Sequence, residues 1–263
     1  TKYPKQWQGI VRPQVFKDVY LPPYDMAGWT LPYQFGVKVA EAQTSLEVEL
    51  KPLEKAVPPG GKVEGSGSSY LLSPKTNNSY IAVNRILEKG GKVQRALNPF
   101  EAGGKSYSVG TMIVRSVKQS LMESLAQELY LNIGKAGRIP ARTSQLKKPR
   151  IGLYRGWAGS MDEGWTRWIL EQYEFTFTSL FADEVKAGNL RQKYDVLIIP
   201  SIGTEAIVDG LKEGTMPDKK YEGGIGEVGV ENIKKFIEEG GTLVTLRQGC
   251  LFAIDKLGVP VKD

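Results

Sequence analysis

Apolar and polar positions follow two periods along this chain. From Tyr70 onward, short apolar runs are each followed by a stretch in which apolar residues recur every three or four positions, which is the strand-then-helix alternation of α/β proteins. Tyr70-Leu-Leu-Ser73 predicts a short buried strand. A helix is predicted over 78–89 with Tyr80, Val83, Ile86 and Leu87 on one face, ended by a left-handed cap at Gly90-Gly91. A strand over 92–97, an exposed loop through Gly103-Gly104 and a strand over 108–115 come next. A second helix runs from Val117 to about Leu131, with Ser116 and Gln119 as a capping box and Leu121, Leu125 and Leu129 on its buried stripe.

After Arg150 the alternation is cleaner. IGLYR (151–155) reads as a strand, and the next helix starts at Ser160 with Glu163 three residues on, turning Trp165, Trp168, Ile169 and Tyr173 inward. A strand over 176–180 and a short polar helix over 182–187 follow. Asp195 to Ile199 is a continuous apolar run of the kind buried on both faces of a parallel sheet. A long loop (201–224) leads to a helix over 226–239 with Val230, Ile233, Phe236 and Ile237 inward, a strand over 242–246 and a last helix over 249–256. The expected fold class is α/β: a doubly wound, mostly parallel sheet over 150–263, preceded by a mixed α/β region over 37–149. Their boundary is placed in RIPARTSQLKKPR (138–150), where two prolines and five basic residues interrupt the pattern. The helix-Gly-Gly-strand unit occurs twice, as ILEKGGKVQRAL and FIEEGGTLVTLR, and shared α/β grammar explains that as well as an ancestral repeat would.

Ahead of this alternation the pattern is different. Residues 1–36 are rich in proline and aromatics and read as an extended arm, because proline removes donors and biases its predecessor away from helix. Residues 37–50 alternate like a strand, and VPPGGKVEGSGS (57–68) reads as a turn-rich connector. A start at Thr1, with neither Met nor a charged-then-apolar leader, reads as a processed or excised piece.

Composition narrows the chemistry. The 263 residues are 41% hydrophobic and 24% charged, enough for a substantial core, and they contain no histidine. Any His-ligated metal site, Ser-His or Cys-His dyad, or imidazole acid-base step within this chain is thereby excluded. One cysteine, Cys250, cannot close an intrachain disulfide and says nothing of compartment. No run approaches the roughly 18 apolar residues of a membrane span. Residues 1–150 hold 22 Lys and Arg against 11 Asp and Glu, whereas the remainder is net acidic, but the basic residues are scattered singly. Without a basic stripe interleaved with aromatics, nucleic acid is not an expected partner.

In an open parallel sheet, ligands bind beyond the carboxyl ends of the strands. Those ends supply the candidate ligand-binding residues Tyr154, Arg155, Trp157, Ser201, Arg247 and Gln248. The strand-to-helix turn T-L-R-Q-G is where a nucleophile elbow would sit, with Gly249 as its trailing glycine, but Arg247 occupies the elbow and arginine is no nucleophile. Sliding the frame to Cys250 puts Gln248 and Phe252 where small residues are needed, so a buried, inert thiol is the expectation there. At Ser160 the acidic first turn, Asp162 and Glu163, reads as ordinary capping. The Gly-rich tracts GGKVEGSG and EGGIGE lack the G-K-[ST] ending of a phosphate loop.

Three runs carry a resemblance: RIGLYRGWAGSMDEGWTRWILEQYEFTFTSL, AGNLRQKYDVLIIP and GGIGEVGVENIKKFIEEGGTLVTL. Together they resemble the class I glutamine amidotransferase-like region that follows the catalytic domain in bacterial zinc carboxypeptidase-type peptidases, a flavodoxin-like fold. PYDMAGWTLPYQFGV (23–37) resembles the stretch joining the two parts, so the similarity covers most of the chain. The resemblance implies an exported precursor, periplasmic or secreted, whose peptidase domain holds the zinc and is this chain's partner. It implies no cofactor in the chain itself. An active amidotransferase needs a Cys elbow and a downstream His-x-Glu; Arg247 replaces the first, and the sequence ends at Asp263 before the second. The expected function is thus a non-catalytic accessory domain serving packing, homo-oligomerisation or ligand recognition, with a peptide- or small-molecule-binding module at the strand ends as the alternative.

Overall fold

A computed structural model describes residues 57–262 apart from 140 and 141, and scattered positions between 37 and 55. The chain divides into two units, Thr1–Ala56 and Val57–Asp263. The predicted arm over 1–36 lies outside the described residues, and the described positions within 37–50 are not in a strand.

The described residues of the second unit build two large sheets and a two-stranded hairpin. The first has six strands: β1 (Lys62–Gly65), β2 (Ser69–Leu72), β3 (Lys92–Ala96), β6 (Met112–Arg115), β7 (Asn132–Ala136) and β8 (Thr143–Gln145), in the order β1-β7-β2-β6-β3-β8. Only β1 and β7 are parallel, with Lys62 opposite Asn132. Helix α1 (Asn78–Glu88) joins β2 to β3, and α2 (Gln119–Glu128) joins β6 to β7. The four inner strands and two helices thus form a split βαββαβ unit, extended by one strand at each edge.

Both helices lie on one face, where Tyr70, Leu72, Val93, Met112, Val114 and Ile133 meet Ala82, Ile86, Met122 and Leu125. The opposite face is covered by a hairpin, β4 (Phe100–Ala102) and β5 (Lys105–Tyr107), whose Phe100 and Tyr107 rings stack 5.1 Å apart. That hairpin replaces the loop expected at Gly103-Gly104: both glycines have positive φ, 55° and 72°, which a tight two-residue hairpin turn requires. Three further expectations change. The supposed connector at 57–68 contains edge strand β1. Ser116 is left-handed (φ 59°) and caps nothing, since α2 starts after Lys118 without a side-chain cap. Tyr80 is exposed, whereas Asn84 is buried and donates from Nδ2 to the Tyr173 carbonyl at 2.7 Å.

The second sheet is wholly parallel: β9 (Ile151–Tyr154), β10 (Phe177–Leu180), β11 (Val196–Ile199) and β12 (Thr242–Thr245), in the order β10-β9-β11-β12. Between the strands lie α3 (Met161–Gln172), α4 (Ala182–Ala187), α5 (Leu190–Lys193), α6 (Thr204–Val208) and α7 (Gly226–Glu238), with α8 (Gly249–Asp255) last. One face sends Tyr154, Leu180, Leu197 and Ile199 into a core with Val185, Leu190, Ile207, Ile233, Phe236 and Phe252, which come from α4 to α8. The other face, Ile151, Leu153 and Ile198, is met by Leu170 of α3 and by Phe175.

Helix α3 departs from expectation. Trp165, Trp168 and Ile169 are 64%, 51% and 51% exposed, and the residue it buries is Glu163, paired with Arg167. Arg167 also donates to Ser179 Oγ at 3.0 Å and lies over the Phe177 ring, so a charged pair fills the space beneath the helix that the tryptophans were expected to fill. The end of α3 is tied to the first sheet's layer: Arg85 donates to both oxygens of Glu174 (2.7–3.1 Å) and to Glu128 (2.8 Å).

Candidate functional site at the strand ends

The carboxyl ends of β9 and β11 diverge because their connections leave in opposite directions, β9 toward β10 and β11 toward β12. A cavity of about 360 Å³ opens there. Five of the six candidate residues, Tyr154, Arg155, Trp157, Ser201 and Gln248, line it. Arg247 does not: it is exposed and lies outside the lining.

Each lining residue is held by a local device. Tyr154 is the last residue of β9; its ring is buried and its hydroxyl donates to the Ile207 carbonyl at 3.4 Å. Burial pushes that hydroxyl up to about 12. The Arg155 backbone N–H continues the ladder to the Leu180 carbonyl (2.9 Å), and the residue is exposed on the cavity lining. Trp157 is fixed on two sides, stacked on Phe181 at 4.3 Å and edge-on to Tyr221 at 4.7 Å. Ser160 caps α3 by accepting the Glu163 N–H at 3.2 Å, as expected from the sequence. Its hydroxyl is thus engaged; Ser201 on the same lining is half-buried and Gln248 is exposed.

The far wall comes from the long loop after β11, which is more ordered than expected. It contains α6 and closes through a bridge between Leu211 and Gly223, with the Gly223 N–H 2.7 Å from the Leu211 carbonyl. Gly210 and Gly223 both line the cavity. Sequence reasoning missed this wall and also Asp162, which lines the cavity from the first turn of α3. Reading that turn as capping alone hid the second role.

The turn after β12 has the geometry of an elbow. Leu246 N–H still bonds the Ile199 carbonyl (3.0 Å), Arg247 is left-handed with φ 47°, and Gly249 starts α8 immediately. A Cβ on Gly249 would lie 2.7 Å from the Pro200 carbonyl oxygen, so only glycine lets the helix begin this close to β11. Arg247 thus occupies a backbone conformation that costs a non-glycine residue about 1–2 kcal/mol. Cys250, expected to be buried, is half-buried; its Sγ donates to the Thr245 carbonyl at 3.4 Å.

A second cavity of about 360 Å³ lies at the amino ends of the strands, lined by Lys148, Arg150 and Lys193. Its cations are already matched, Lys148 to Glu88, Arg150 to Asp195 and Lys193 to Glu184. The hydrogen bonds from Arg150 hold the Asp195 carboxyl well below the usual carboxylate range. Among the described residues no three His, Cys, Asp or Glu side chains converge on a common point, and no helix is long and apolar enough to cross a membrane. Comparison with family models, with curated proteins and with solved structures gives no match.

Proposed function

We propose that residues 150–263 are a doubly wound, flavodoxin-like domain of the amidotransferase-like kind that lacks nucleophilic catalysis and recognises a small ligand, as an accessory to a bacterial zinc carboxypeptidase-like protein. The carrying observation is the elbow turn with Arg247, left-handed, at the nucleophile position, beside a cavity at the ends of β9 and β11. In a sheet of order 2-1-3-4 the ligand crevice of doubly wound folds falls between the first and third strands, which is where this cavity lies. Zinc belongs in this reading to the peptidase domain; histidine, its usual ligand there, does not occur in this chain.

The test is a pair of assays on the full chain. Glutaminase and carboxypeptidase substrates are expected to be left intact, while a cavity ligand found in a metabolite and peptide panel raises the melting temperature. Turnover of either substrate, lost on substitution of a cavity residue, overturns the non-catalytic assignment.

One observation favours a second role in packing or self-association: Met161, Trp165, Trp168 and Ile169 form an exposed apolar stripe along α3. Sedimentation of the chain, with Trp165→Glu lowering the associated fraction, is the outcome that role requires.

A further inference from the structure

We infer that the cavity at the strand ends takes a small zwitterion, an amino acid or a short peptide with free termini, whose carboxylate meets Arg155 and whose ammonium meets Asp162. This rests on the ligand-binding reading above and narrows it to a chemical class. Arg155 from the end of β9 and Asp162 from the first turn of α3 stand on the walls of the same cavity. Among the described residues neither side chain enters an ion pair, whereas Glu163, next to Asp162 in the first turn of α3, is matched with Arg167. On the cavity lining the charged residues are one cation, Arg155, and one anion, Asp162.

Charge balance discriminates between ligand classes. Inorganic phosphate or a simple carboxylate would satisfy Arg155 but sit against the Asp162 carboxylate, and a simple amine would do the reverse. A zwitterion satisfies both, with the guanidinium fork suited to two parallel bonds to a carboxylate. The volume, about 360 Å³, is near the lower end of the roughly 300–1,000 Å³ typical of small-molecule sites. Trp157, held by Phe181 and Tyr221, offers a fixed apolar wall for the uncharged part of such a ligand.

Calorimetry on the full chain with leucine, glycylleucine, N-acetylglycylleucine and glycylleucinamide tests this. At least one of the two free forms binds; leucine alone indicates an amino-acid site and glycylleucine alone a peptide site. Capping either end weakens glycylleucine, or the corresponding capped leucine, at least tenfold. Arg155→Ala abolishes the penalty for amidation alone and Asp162→Asn the penalty for acetylation alone, a crossed pattern that a merely structural role would not produce. Both side chains are exposed, so the variants should melt with the parent. Equal binding of capped and free forms, or a penalty from only one cap, overturns the zwitterion while leaving a ligand site. If no free form binds, a neutral fragment library followed by NMR at the Trp157 indole separates the two failures: shifts there overturn the zwitterion alone, and silence overturns the ligand-binding reading with it.

Discussion

The two faces of the parallel sheet are covered very differently. On one, four strand residues disappear beneath side chains from α4 to α8, and Phe236 and Phe252 are 1% and 0% exposed. On the other, among the described residues, the cover comes from α3 through Leu170 and the Glu163–Arg167 pair, with Phe175 just beyond it. The same type of β-α-β connection therefore yields a dry core on one side and a thin, partly charged layer on the other. Periodicity in a helix identifies an apolar stripe, but which way the stripe turns depends on what else covers the sheet. On α3 the tryptophans turn out.

The largest effect should come from the thick face. Phe236→Ala is expected to cost about 3–5 kcal/mol in urea denaturation, the range for deleting a buried aromatic ring. A loss below about 1 kcal/mol would erase the contrast between the faces.

Next is Tyr154, on the same face. Its hydroxyl titrates near 10 in an unfolded chain and is pushed up to about 12 by burial, so its contribution is fully present below pH 10 and is lost as pH rises toward 12. A displacement of that size corresponds to stability on the order of 2–3 kcal/mol. Urea midpoints measured at pH 9 and 11.5 should fall more for the parent than for Tyr154→Phe; equal falls would contradict the burial of that ring.

A smaller gain is expected at the elbow. Arg247→Gly should raise stability by roughly 0.5–1 kcal/mol, because glycine adopts the left-handed conformation without the steric cost. A fall in melting temperature would mean that the arginine side chain holds the turn.

The least change belongs to the thin face. Trp168→Ser is expected to stay within about 0.5 kcal/mol of the parent, as for other exposed positions. A cost of 3 kcal/mol or more would show that the stripe is covered in solution.

Legibility in the sequence followed the amount of burial. Val196–Ile199 was readable because its side chains are covered on both faces, and the ends of such strands located Tyr154, Arg155 and Ser201. Edge strand β1, KVEG, escaped because only its middle residues are half-buried, and it therefore carries no apolar run. Strand β7, NIGKA, buries Ile133 and Ala136 only, and its Gly134 makes room for the Tyr107 hydroxyl of the hairpin. That fit is a tertiary fact with no local trace. At the site, Trp157 was found by position, but its two aromatic supports come from 24 and 64 residues further on, at Phe181 and Tyr221. The turn at Arg247 was legible from Gly249; that its side chain falls outside the cavity was not.

The parallel pairing of β1 with β7 has a consequence for synthesis. Lys62 leaves the ribosome 70 residues ahead of Asn132, its partner in register. At roughly 5–20 residues per second, β1 waits several seconds as an unpaired nascent segment. Its two charged residues suit that wait, because Lys62 and Glu64 pair with each other at 2.6 Å and ring a short strand with charge, the gatekeeping that discourages neighbouring nascent chains from pairing with it first.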